Sequence, residues 1–352
     1  MTKSTRKILV YLAIFLPISI IAVTLRSIAL LINLDSGGIY FENKILMTVA
    51  GAITLAAAIF AITFAFDRKN ALCPAASFVN PQTYIPSGLA AASLLFVAKD
   101  IFAEFLKSRE AGGTAKAQSP IIPAVLVITL ILCLVCVFNF FLNVFLEKRR
   151  SRIRAAFCTS CVAFLAMYAV YLFFSDSLPL NAPNKLIDQL SFIGLSIFFL
   201  YETRISLGRP MWKLYVSFGL IGANLAFFSS IPSLIYYFVK GTDSSAILST
   251  GIAENILALV LGAYTVCRLY LTASLVADEP CNAALAIDKM AKLRMDEISA
   301  RAGQEKSESS ADEAAQNLEG SNYEIEIPTF MTDEETSPEA DTLQADENSE
   351  KE

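Results

Sequence analysis

Seven ionisable side chains interrupt stretches that are otherwise apolar enough for hydrocarbon: Arg26, Lys99, Asp100, Glu104, Asp188, Glu254 and Arg268. A charge at the centre of a membrane helix costs about 2.5–3.5 kcal/mol on insertion scales, so each needs a partner, water or a route to the interface. With the N-terminus on the inside, all but Arg268 fall in the outer half of the membrane. There, four carboxylates (Asp100, Glu104, Asp188, Glu254) meet two bases (Arg26, Lys99). Two chemistries fit that set. One is an outward-opening polar pocket that admits a cation, a proton or a basic solute; the other is helix–helix glue in which the charges pair off. Asp100, Glu104 and Lys107 share one helical face by i+4 and i+3 spacing, whereas Lys99 points elsewhere. Arg26 and Glu254 are the best depth-matched opposite charges on different helices. If the first and eighth helices are neighbours, those two should form a pair.

A second charged group, "YETRISLGRPMWK" at 201–213, lies between two apolar stretches. Glu202 and Arg204 end one helix there, Gly208 and Pro210 turn the chain, and Trp212 stands where an interfacial indole is expected. This reads as a cytoplasmic border, in which Glu202 braces the loop by pairing with Arg209 or Arg204. Phosphate binding by these arginines is the alternative.

Two Cys-x-x-Cys pairs, Cys133 with Cys136 and Cys158 with Cys161, have a spacing that suggests zinc in a soluble chain. Counting 1.5 Å per residue from the inner boundary puts the second pair several ångströms nearer the headgroups than the first. Tetrahedral zinc would need all four sulfurs about 2.3 Å from one point. Packed cysteine acting as a small hydrophobe is therefore the expectation, with no metal and no cofactor. Histidine is absent altogether. That excludes zincin helices, histidine-based hydrolase triads and histidine proton relays by residue type. The chain reads as a non-enzyme, with a lipid-acting enzyme built on Asp, Glu and Arg as the remaining enzymatic option.

The elements that must position these residues follow from hydropathy. Of the 352 residues, 55% are hydrophobic, and the mean hydropathy of +0.54 exceeds that of soluble domains. A spanning helix needs about 20 apolar residues, and eight candidates occur near 8–33, 45–66, 88–106, 121–146, 155–174, 186–203, 213–239 and 251–276. The fold class is all-α: a polytopic membrane bundle of about eight helices over 1–276. The third segment has only twelve clean residues before Lys99, so its crossing rests on charge asymmetry. Lysine and arginine favour the cytoplasmic side. Eight crossings put 16 of them inside and 6 outside, and keep the run "KRRSRIR" at 148–154 inside. Residues 8–25 are too long an apolar core for a signal peptide and read as a retained helix.

Beyond residue 276 the charge inverts. The last 76 residues carry 21 acids and 6 bases, net −15, against 12 acids and 22 bases before them, net +10. A short cytoplasmic helix is expected over 277–303 and a disordered acidic tail over 304–352, because so little apolar surface cannot offset ordering entropy. Within the tail, "NYEIEIPTF" at 322–330 alternates like a strand that could add to a partner's sheet edge. A basic body suits anionic membrane lipid, and the tail suits a cytoplasmic protein partner; nucleic acid is not expected. No Asn-x-Ser/Thr sequon occurs, which points to a cell membrane of the bacterial inner type, with both termini cytoplasmic. The functional expectation is a sensor, scaffold or assembly factor. A transporter or channel using the outer carboxylates is the alternative.

Overall fold

The computed structural model describes residues 3–34, 40–66, 83–111, 121–145, 152–175, 178–179, 182–207, 211–240 and 250–274. The expected cytoplasmic helix, the acidic tail with its 322–330 segment, and Arg209 lie outside the described residues. Those described form eight helices: α1 Lys3–Ile32, α2 Lys44–Phe66, α3 Tyr84–Ala111, α4 Ile121–Phe145, α5 Arg152–Phe174, α6 Pro183–Ser206, α7 Trp212–Lys240 and α8 Ile252–Ser274. Seven are long and apolar enough to cross a membrane, and α3 is not among them. The protein is a helical membrane bundle.

Hydropathy marks only the part of a helix that suits hydrocarbon, so α1, α3, α5 and α6 outrun their sequence limits, α1 by five residues and α5 by three at the N-terminal end. Helix α3 extends from 88–106 to Tyr84–Ala111. Helix α6 begins earlier, at Pro183, where a fixed φ and a missing N–H are tolerated because the first-turn donors have no helical acceptor. Its last turn, Thr203 to Ser206, is polar yet still helical. At 28 residues α3 is about 42 Å long, and it packs against α4 and α8, both apolar enough to span.

Consecutive helices from α3 to α8 are neighbours, while α7 also packs against α1 and α2 and so occupies the centre. Small residues bring α6 and α7 together. A Cβ on Gly222 would lie 2.9 Å from the Gly194 carbonyl oxygen, and one on Gly194 would lie 3.3 Å from the Gly222 Cα. Close backbone approach through small residues is how helices gain dispersion contact where lipid supplies no hydrophobic drive between them. At mid-bundle the core is aromatic. The Phe199 and Tyr264 rings stack 5.9 Å apart, and Phe140 meets Tyr264 edge-on at 5.3 Å. This layer, with Phe198 and Leu195, separates two polar regions.

Candidate functional site: two buried polar clusters

Helix α6 contributes an acid near each end. Asp188 lies in its second turn and Glu202 one turn before its C-terminus. The 14 residues between them amount to roughly 21 Å. Each acid organises its own cluster at its own end of the bundle.

Around Glu202 the chemistry is ionic. Its Oε1 pairs with the Arg268 guanidinium from α8, and its Oε2 accepts the Tyr215 hydroxyl proton from α7 at 2.9 Å. Arg154, from the first turn of α5, adds its positive charge to the same carboxylate. Tyr264 faces Arg268 with its ring centre 6.0 Å from the guanidinium carbon. Glu202 is 4% exposed, Arg268 2% and Arg154 4%, so the group is desolvated. Four helices are joined through one acid.

Around Asp188 hydroxyl and amide groups gather beside the Arg26 guanidinium. Ser229 of α7 donates to Oδ1, and Thr250, just before α8, donates to Oδ2 at 3.1 Å. The Thr250 hydroxyl in turn accepts from Asn255 at 2.9 Å, and its carbonyl accepts from Tyr237 at 2.7 Å. Arg26 reaches in from α1. It donates to the Phe228 carbonyl and to Asn184 Oδ1 at 3.2 Å, lies 5.0 Å over the Phe228 ring and feels the charge of Asp188. Lys185 ends on the Ser175 and Leu178 carbonyls. Among the described residues Arg26 Nε and Asn184 Nδ2 are buried without a hydrogen-bond partner.

Several sequence expectations need correction. Arg26 does not pair with Glu254: α1 and α8 do touch, but the two side chains take different partners. Glu254 lies in the first turn of α8 and turns back onto the backbone there and onto Tyr168. A carboxylate is favoured at that positive helix end. The fold-back needs Gly251, since a Cβ there would lie 2.6 Å from Glu254 Oε2. Glu202 does not brace the loop through Arg204 either. Residues two apart on a helix do not face each other; Arg204 is exposed and points its guanidinium at Met211 Sδ, 2.9 Å away. Trp212 is 8% exposed, packed edge-on against Tyr215 instead of lying in a lipid-facing belt.

The α3 residues stand apart. Lys99, Asp100 and Glu104 are exposed, Glu104 meets Lys107 at 3.7 Å, and Asp100 lies close enough to Glu254 for their charges to repel. The six candidates at membrane depth therefore divide: Arg26 and Asp188 share one cluster, Glu254 caps α8 beside Asp100, and Lys99, Asp100 and Glu104 face outward. The two cysteine pairs are offset in depth as expected, the second lying on average three residues, roughly 4.5 Å, nearer the α4–α5 end, but one member of each pair meets. Cys136 and Cys161 touch, with sulfurs 2.7 Å apart. Each is nine residues from the end of its helix nearest the α4–α5 connection, so the two are level. Cys133 and Cys158 instead donate to the carbonyls of Leu94 and Phe199. Among the described residues no group of three or more metal-ligating side chains is placed to hold an ion.

The Glu202–Arg268 pair escaped the sequence reading although a signal existed. Glu202 is four residues from the end of α6 and Arg268 six from the end of α8, at the same side of the bundle with opposite charge. The fold and these clusters define the class: an integral membrane helical bundle with desolvated polar groups near both ends. Compared with protein-family models, curated proteins and solved structures, the chain matches none.

Proposed function

We propose that the protein is a non-enzymatic membrane scaffold or sensor whose bundle is a rigid platform and whose acidic C-terminal segment engages a cytoplasmic protein partner. The observation that supports this most is the use of buried charge. Glu202, Arg268, Asp188 and Arg26 spend their hydrogen bonds on one another's helices, which binds α1, α6, α7 and α8 into one body. The net −15 of residues 277–352 suits an exposed basic partner surface and is repelled by anionic lipid. The 16 to 6 distribution of basic residues supports an orientation with both termini inside, and the absence of an Asn-x-Ser/Thr sequon supports a bacterial inner membrane.

The experiment compares full-length protein with a chain ended after Gly303, each tagged and purified from its own membrane with bound proteins. Truncation should leave membrane level and unfolding temperature unchanged and remove specific partners. Partners retained in full by the truncated chain would overturn the proposal. A transporter is the second reading, favoured by one observation: among the described residues Glu254 Oε2 has no hydrogen-bond partner, and Glu254 feels the charge of exposed Asp100. Proteoliposomes holding the full chain should show cation and proton flux no greater than empty vesicles. Flux abolished by Glu254→Gln would establish transport instead.

A further inference from the structure

Cys136 of α4 and Cys161 of α5 lie inside apolar spans, and both are free thiols with their sulfurs 2.7 Å apart. A covalent S–S bond is about 2.05 Å long, so closure needs an approach of less than about 1 Å. The other two cysteines of this layer are used differently. Cys133 donates to the Leu94 carbonyl of α3 and Cys158 to the Phe199 carbonyl of α6, which turns their sulfurs toward other helices. Among the described cysteines, only Cys136 and Cys161 are in sulfur contact.

The pair has a polar neighbour that packing does not require. Asn139, three residues from Cys136 on α4 and 2% exposed, hydrogen-bonds the Cys161 sulfur. An amide in hydrocarbon is costly unless it bonds, and here its bond goes to a group with redox chemistry. A donated N–H can hold the negative charge that gathers on sulfur during attack. Burial then selects the oxidant. Cys136 is 2% exposed and Cys161 is 0% exposed, and each lies nine residues, roughly 13.5 Å, from its helix end. Charge is excluded from that depth by its desolvation cost and bulk by the packing. A small uncharged oxidant that crosses the membrane meets neither barrier.

We infer that Cys136 and Cys161 are a redox switch, a dithiol that a small uncharged peroxide closes to a disulfide joining α4 to α5. The Cys161 sulfur, which has the Asn139 bond, attacks one peroxide oxygen. The O–O bond breaks, an S–O bond forms, and the thiol proton leaves with the other oxygen as water. The Cys136 sulfur then attacks the Cys161 sulfur; the S–O bond breaks, the S–S bond forms, and the hydroxyl leaves with the Cys136 proton as a second water. The two thiols supply the two electrons that reduce one peroxide. Closure falls on α5 two turns from Arg154, and Cys161 already feels the charge of Glu202, so the switch adjoins the ionic cluster. This goes beyond the tail-mediated scaffold reading, and the chemistry is tested without any partner, so either can fail alone.

The test uses the full chain in native membrane vesicles with Cys73, Cys267 and Cys281 replaced by alanine, which leaves four thiols. Hydrogen peroxide should lower the thiols counted after denaturation from four to two, and peptide mapping should place the lost pair at positions 136 and 161. Dithiothreitol should restore both. Oxidised glutathione, charged and bulky, should leave all four at the same concentration. Closure should also raise the unfolding temperature, because a link between positions 25 apart restricts the unfolded chain. Cys136→Ala should leave Cys161 as a sulfenic acid that dimedone traps, whereas replacing Cys133 and Cys158 together should leave closure intact. Size-exclusion profiles show whether these variants fold, and the main arm changes none of the four buried cysteines. Four thiols after peroxide, a loss that dithiothreitol does not restore, a disulfide between other positions, or equal oxidation by oxidised glutathione would each overturn the inference.

Discussion

The two polar clusters differ in the kind of partner their central acid has. Glu202 holds a full charge, Arg268, in direct contact and a second, Arg154, close by, with one hydroxyl completing its shell. Asp188 accepts from the Ser229 and Thr250 hydroxyls, and the Arg26 guanidinium that feels its charge donates to the Phe228 carbonyl and to Asn184. A hydroxyl can rotate toward another acceptor when its carboxylate is removed. A buried guanidinium cannot lose its charge, so it must find another counter-charge or drag water inward. One end of the bundle is therefore brittle and the other adjustable, although both acids are almost completely buried.

The largest effect is expected at the brittle end. Removing one member of a buried ion pair typically costs about 3–5 kcal/mol. Glu202→Gln and Arg268→Leu should each lower the unfolding temperature of detergent-purified protein sharply, and the double change should recover most of the loss. At the adjustable end Asp188→Asn should cost about 1–3 kcal/mol, the range for a buried donor left without its acceptor. A larger loss than for Glu202→Gln would reverse the ranking of the two clusters. Between them, Gly222→Ala drives a Cβ onto the Gly194 carbonyl and should cost about 1–3 kcal/mol by overpacking, read as the same temperature shift. The smallest effect is expected at Glu254. It is half-buried, and among the described residues one of its oxygens has no hydrogen-bond partner, so Glu254→Gln should change stability by about 1 kcal/mol or less.

Much of this architecture was legible before any coordinates. Apolar length located seven of the helices, because the bilayer imposes one dimension on them, while the third needed the charge asymmetry of its flanking loops as well. Depth was legible too, at least as counting along a helix: Arg26 and Asp188 were singled out as charges that need partners. Partner choice was not, because it depends on which helices adjoin and how each is rotated. Arg26 looked complementary to Glu254, yet Phe228 and Asn184 on α7 and α6 present acceptors nearer its path, and Glu254 has the start of its own helix to cap. Glu202 was read with its sequence neighbours Arg204 and Arg209. The residue it binds is 66 positions away, and matching both residues to the same end of the bundle would have suggested it. The cysteines add a detail: the offset of the two pairs was legible, whereas the meeting of Cys136 with Cys161, each nine residues from its helix end, shows only when residues are counted singly.

Whether both clusters are closed glue or part of a water path can be measured directly. Thr203 and Ser229 are buried, one beside Glu202 and the other bonded to Asp188. Each is replaced singly by cysteine in a chain without native cysteines, and a small membrane-impermeant thiol reagent is applied from either side. Dry, internally bonded clusters predict no labelling of either position in folded protein and full labelling of both after denaturation. Labelling of position 229 or 203 in the folded protein, from either side, would show water reaching the buried charges and contradict the structural role given to them.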